Sequence, residues 1–201
     1  ETYEDLDGIA DIAKNIIEIN KKYNGPKGGR FRLTVSVSNF VPKAHTPFQW
    51  ERQNTPEEFE AKHRYLEQKL KIKGITFNYH DSFTSLCEAI FAKGDRRCAK
   101  ALLEAHKLGC KLDGWSEHFR RELWEQAFEK SGISPDHYAF REISEDEVLP
   151  WDHIDCGVSK KFLSKEREKA YKETVTQDCR YGCCGCGINK RVECKQEGIY
   201  G

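Results

Sequence analysis

Phe31, Leu33, Val35 and Val37 alternate with Arg32, Thr34, Ser36 and Ser38. A period of two fixes a strand with one apolar face. The residues before it follow another period. From Leu6, positions Ile9, Ala10, Ala13, Ile16 and Ile17 recur at helical spacing, which predicts an amphipathic helix over residues 3 to 23. Thr2 followed by Asp5 reads as an N-cap with an acidic group at N3. "NGPKGG" (24–29) breaks that helix. A second helix starts at "TPEEF", with Thr55 as N-cap, Pro56 at N1 and Glu58 closing a capping box. It is expected to run to about Lys73 and stop at Gly74, ahead of a second strand, "ITFNYH" (75–80). A helical crossover between two strands of one sheet requires them to pair in parallel.

Beyond residue 80 the strand signal ends. Phe83, Leu86, Cys87 and Ile90 share one helical face. Cys98, Ala101, Leu102 and Ala105 line a second helix, with Asp95 as its cap and Gly109 as its end. Phe119, Leu123 and Ala127 line a third, from Ser116 to about Lys130. Cys87, Cys98 and Cys110 read as small core hydrophobes. After "SGISPDHY" the chain turns irregular, and one short helix at about 164–172 leads into a cysteine-rich end. The class is α/β, or α+β by content. The expected division is residues 1–80, a helical extension over 81–150, and a loop with a Cys-rich tail over 151–201.

Lys and Arg balance Asp and Glu at 33 each, so no global field draws the chain to nucleic acid or to a membrane surface. No apolar run approaches the roughly 18 residues of a membrane span. A cytoplasmic location, with thiols reduced, is the expectation. Residue 1 is Glu and the chain lacks methionine, so it reads as a piece of something longer.

Five of the nine cysteines fall within "DCRYGCCGCGINKRVEC" (178–194). Cys179, Cys183 and Cys186 give C-x3-C-x2-C, and Cys194 follows as a fourth donor. Thiolates at this density suit zinc or an iron–sulfur cluster. Gly182, Gly185 and Gly187 let a chain wrap such a centre. Cys184, beside Cys183, is expected to point away. Arg180, Lys190 and Arg191 would offset the thiolate charge, and the three sulfurs would gather within about 4 Å. A disulfide framework or an unligated tail are the alternatives, the first opposed by an odd number of thiols.

Other polar groups have both a chemical and a plain reading. Asp152, His153, Asp155 and Cys156 lie together in "LPWDHIDCG", either an acid/base or ligand group or a loop docked by Trp151. His80 and Asp81 end the second strand and Lys43 and His45 follow the first, where α/β folds bind ligands; Asp81 serves equally as a helix cap. Arg96 and Arg97 in "GDRR" form an anion clamp or a solvated helix start. Trp115 reads as a core plug.

Several strings together resemble a known family. "ETYEDLDGIADIAKNI" and "VSVSNFVPKAHTPFQW" are similar to a helix and the following strand and loop of radical S-adenosylmethionine (radical-SAM) enzymes. "GDRR", "DGWSEHF", "LPWDHIDCGVSKKFL" and "DCRYGCCGCG" resemble the C-terminal half of a bacterial radical-SAM group whose members carry a cobalamin-binding-like domain ahead of the barrel. The resemblance implies the later strands and helices of a (β/α)6 barrel. It implies that Ser36, Ser38 and Asn39 face the adenosyl group of S-adenosylmethionine. It further implies a 4Fe-4S cluster in the parent protein, on a C-x3-C-x2-C loop that this chain lacks. That cluster cleaves S-adenosylmethionine to a 5′-deoxyadenosyl radical, so the chain alone would be inert, its partner being the missing N-terminal part of the same protein. The tail would then be an auxiliary iron–sulfur or zinc site, with cobalamin a further cofactor of the parent. Two other classes compete: a zinc-ribbon-like RNA-binding module using Lys190, Arg191 and Lys195, and a helical protein-interaction platform.

Overall fold

The computed structural model describes residues 1–25 and 31–194; part of the "NGPKGG" break, and Lys195, lie outside them. The fold is mixed α/β, mostly helical, with one small parallel sheet. Helix α1 (Tyr3–Asn24) precedes β1 (Leu33–Val37), and α2 (Pro56–Lys69) precedes β2 (Ile75–Tyr79). Then come α3 (Ser82–Lys93), α4 (Cys98–Leu108), α5 (Arg121–Ser131), the single turn α6 (Pro135–Tyr138) and α7 (Lys160–Tyr171). Two compact units divide the chain: Glu1–Phe40 with Asn54–Cys87, and Val41–Gln53 with Glu88–Gly201. Among the described residues no helix is long and apolar enough to cross a membrane.

The first unit follows from local rules. Both capping boxes form, Thr2 with Asp5 and Thr55 with Glu58. The strands pair in parallel, with Leu33 opposite Ile75, Val35 opposite Phe77 and Val37 opposite Tyr79. That apolar face packs on Leu6, Ala10 and Ala13 of α1 and on Leu66 and Leu70. The other face presents Thr34 and Ser36 of β1 beside Thr76 and Asn78 of β2, all exposed. Helix α2 ends at Lys69, earlier than its sequence suggests, with Leu70 as C-cap. Gly74 does a different job from helix termination. At φ 94° it forms the turn leading into β2; its carbonyl accepts from Leu33 N at 2.8 Å, and an added Cβ would lie 3.4 Å from Phe31 O.

The second unit draws a distant loop into its core. Trp50 is fully buried among Ile143, Leu149, Trp151 and Leu163. Gln49 is buried beside it and accepts from Trp151 Nε1 at 2.7 Å. Cys98 and Cys110 are buried here, and Cys87 in the first unit, as small hydrophobes would be. Trp115 is not a core plug: it is 58 % exposed. Residues 112–118 are taken up by successive turns, with Trp115 N donating to Leu112 O and His118 N to Trp115 O, so α5 starts only at Arg121. Asp95 closes the turn before α4 rather than capping it. Its carboxylate accepts from Arg97 N at 2.8 Å and is gripped by the Arg97 guanidinium, which holds it down at about 2.

Candidate functional site

The residues singled out by sequence fall into three places. At the C-terminal end of the parallel strands, Ser36 and Ser38 are exposed and Asn39 is buried. Asn39 is a brace, fully engaged in the protein. Its amide donates to His80 O at 3.1 Å and to Ser85 Oγ at 2.9 Å, and its carbonyl oxygen lies 2.8 Å from His63 Nε2. Asn39 thereby ties both strand ends to α2 and α3. Asp81, beside it, accepts from Thr84 N at 2.7 Å, which is the capping role.

His63 is buried between Phe59 and Tyr79, its ring stacked 4.0 Å from that of Tyr79. Nothing in the sequence pattern singled it out, because a histidine inside a helix carries no local signal. Burial pushes its pKa below 6.5. The folded ring thus resists a proton that the unfolded chain accepts, and stability declines as pH falls below about 6.5. Asn39→Ala, which strips three hydrogen-bond partners at once, is expected to cost about 2 kcal/mol. Urea denaturation followed by circular dichroism checks both statements. A variant as stable as wild type would remove Asn39 from the architecture.

The second place is the cysteine tail. Cys179, Cys183 and Cys194 are exposed, and Cys184 and Cys186 are partly covered. The Cys184 thiol is pushed up first by burial, then by the charges of Cys179, Cys183 and Cys186. Its Sγ donates to Gln177 O at 3.1 Å, and Cys183 Sγ accepts from Gly185 N at 3.4 Å. Of the cations expected to neutralise thiolates, Arg180 pairs with Asp178 at 2.9 Å while also feeling the Cys179 thiol, and Arg191 pairs with Asp155. Among the described residues, no three His, Cys, Asp or Glu side chains form a group spaced to hold a metal ion. The close gathering of Cys179, Cys183 and Cys186 is thus not found.

The third place joins two segments far apart in sequence. His45 Nδ1 lies 3.4 Å from Cys156 Sγ. His153, by contrast, is exposed. Asp152 accepts from Leu149 N and pairs with Lys160 at 3.0 Å, and Asp155 accepts from Gly157 N. Lys43 pairs with Glu88. A cavity of about 220 Å3 is lined by Lys93, Asp95, Arg97, His137, Arg141 and Glu147, among others. Its charges are matched internally, Arg97 to Asp95 and Arg141 to Glu147. Lys93 is 3 % exposed and donates to Glu51 O and Arg141 O. In sequence it reads as an ordinary cation at a helix C-terminus.

Over 102 residues the chain is 28 % identical to an uncharacterized protein of Methanocaldococcus jannaschii, the match covering 51 % of this chain. The matched stretch is 20 % of that protein, so the chain spans about a fifth of its length. No family model matches, and no solved structure matches.

Proposed function

We propose that this chain supplies the C-terminal strands and helices of a radical-SAM-type (β/α)6 barrel and carries a soft-metal site on its tail, either an auxiliary iron–sulfur cluster or zinc. The observation that carries the reading is the parallel pair β1–β2 with a bare polar face of Thr34, Ser36, Thr76 and Asn78. Parallel sheets are nearly always covered on both faces and extend beyond two strands. Polar side chains on the uncovered face suit a barrel interior that holds a polar ligand. In this reading Ser36 and Ser38 face S-adenosylmethionine.

Helix α1 supports the same reading. Leu6, Ala10, Ala13 and Ile17 are buried, yet Ile12, Ile16, Ile19 and Tyr23 form a second, exposed stripe about 120° around the helix. A neighbouring barrel helix, from the N-terminal part of the same protein, is the natural cover for it. The parent's 4Fe-4S cluster would supply the radical chemistry, and cobalamin, if the parent carries that domain, would bind outside this chain. The tail reading is supported by the crowding of five cysteines into residues 178–194, with Cys179, Cys183 and Cys186 at C-x3-C-x2-C spacing. The RNA-binding alternative is weakened by Asp155, which neutralises Arg191.

Iron, zinc and acid-labile sulfide analysis of the anaerobically purified chain tests the proposal. Iron with sulfide, lost in Cys179→Ser, Cys183→Ser and Cys186→Ser, is the expected result. Zinc without sulfide assigns the tail to a structural site. Cleavage of S-adenosylmethionine by the iron-reconstituted chain alone would mean that the tail is the radical cluster itself, overturning its auxiliary role.

A further inference from the structure

Lys93 is a buried cation without a counter-ion. We propose that the cavity it lines binds a small organic carboxylate, with the Lys93 ammonium as its anchor and the Arg97 and Arg141 guanidinium groups at its flanks. The site belongs to the second unit alone: Lys93 ends α3, Arg97 stands just before α4, and Arg141 follows α6.

The ammonium has three N–H groups and two acceptors. Nζ donates to Glu51 O at 2.5 Å and to Arg141 O at 3.1 Å, and among the described residues nothing takes the third proton. Both acceptors are neutral carbonyls. Burial is the largest influence on the ammonium and repulsion from Arg141 the next; attraction from Glu51, Glu142 and Glu147 does not make up the difference, and the pKa falls to about 8. Two of those carboxylates are committed to other cations, Glu51 to Arg167 at 2.5 Å and Glu147 to Arg141 at 2.7 Å. A buried charge is normally paired. Lys93 borders a cavity of about 220 Å3 instead.

The lining sets the charge of the occupant. Lys93, Arg97 and Arg141 bring three positive charges and Asp95 and Glu147 two negative ones, an excess of one when His137 is counted as neutral. A carboxylate monoanion balances that excess, whereas a phosphate dianion overshoots it. Free donors stand on the same wall. Arg97 holds Asp95 through Nε and Nη2, so among the described residues its Nη1 makes no hydrogen bond. Arg141 gives one N–H of each terminal nitrogen to Glu147, which leaves the second N–H of each. Arg97 also lies over the Tyr138 ring, 5.7 Å from its centroid, so its fork is positioned before a ligand arrives. The volume is below the roughly 300 Å3 at which pockets for drug-sized ligands begin, so the acid carries few carbons. A neighbouring cavity of about 240 Å3 shares Arg97, His137 and Tyr138, adds Lys100, and has no carboxylate in its wall. Arg97 and Lys100 are exposed, which puts positive charge where an anion first meets this face.

The test exposes the full chain, labelled with carbon-13 lysine, to sodium acetate in exchange for sodium chloride at constant ionic strength, with sodium phosphate as a parallel arm. Acetate is expected to shift the Lys93 Cε resonance saturably and to raise the Lys93 midpoint from about 8 to about 9 or above, the effect of an opposite charge at contact distance. By linkage, acetate affinity, read by saturation transfer to its methyl group, is expected to fall about fivefold between pH 7 and pH 9. Lys93→Met is expected to abolish binding, and Arg97→Gln to weaken it about tenfold. Lys100→Ala, outside the proposed cavity, is expected to bind as wild type does. Thermal melts show which variants fold; if Lys93→Met does not, Arg97→Gln and the pH dependence decide. Tighter binding of phosphate than of acetate would overturn the choice of a monocarboxylate. A Lys93 midpoint that stays at about 8 in acetate, or Arg97→Gln binding as wild type does, would make Lys93 a brace for two carbonyls and nothing more.

Discussion

Trp50→Ala is expected to destabilise the second unit by about 3–5 kcal/mol, the range for truncating a buried tryptophan. Trp50 has no exposed surface, and Ile143, Leu149, Trp151 and Leu163 pack around it. Its carbonyl also accepts from Ile143 N at 2.8 Å, so the loop backbone is held as well as its side chain. The loss should show as an early urea transition in far-UV circular dichroism. Trp50→Phe sharpens the test. Trp50 Nε1 is a buried donor with no partner, and phenylalanine removes that unsatisfied group while keeping most of the apolar surface. Trp50→Phe should therefore lose well under half of what Trp50→Ala loses. Equal losses in the two variants would mean that shape at this position, not apolar burial, holds the loop.

Trp50 also marks the boundary of what the sequence made legible. Both capping boxes were readable because each joins residues three apart, Thr2 to Asp5 and Thr55 to Glu58. Strand alternation was readable for the same reason, and parallel pairing followed from the crossover helix. Nothing local says that Trp50 enters a core built from residues 143–163. The bracing role of Asn39 is hidden for a similar reason. It lies at a strand end, as a ligand-binding residue would, and only the positions of His63, His80 and Ser85 reveal a structural brace.

The cysteines show the limit most clearly. Spacing along the chain picked out Cys179, Cys183 and Cys186, because spacing is the only geometry a sequence displays. The 3.4 Å contact of Cys156 with His45 joins residues 111 positions apart. Nor does spacing reveal the carbonyl acceptors of the partly covered Cys184 thiol, Gln177 O and Gly182 O.

Lys93 gives the second large effect, and its sign is set by pH. Burial is the main force on its ammonium, with repulsion from Arg141 next, and together they lower its pKa from 10.5 to about 8. Between those values the unfolded chain holds a proton that the folded chain has released. Stability therefore rises with pH across that window, by up to about 3 kcal/mol, and below about 8 the full burden of the buried charge is present. The opposing influence is visible too: Nζ donates to Glu51 O at 2.5 Å and to Arg141 O at 3.1 Å, contacts that favour the charged form. Lys93→Met keeps the stem, removes the charge and leaves both carbonyls unpaired, losses and gains that nearly offset at neutral pH. Subtracting its stability from that of wild type cancels the titration of every other lysine, tyrosine and cysteine. The difference is expected to widen in favour of wild type as pH rises from about 8 toward 10.5. A difference that stays flat would show that the two carbonyls hold the proton on Lys93 in the folded protein.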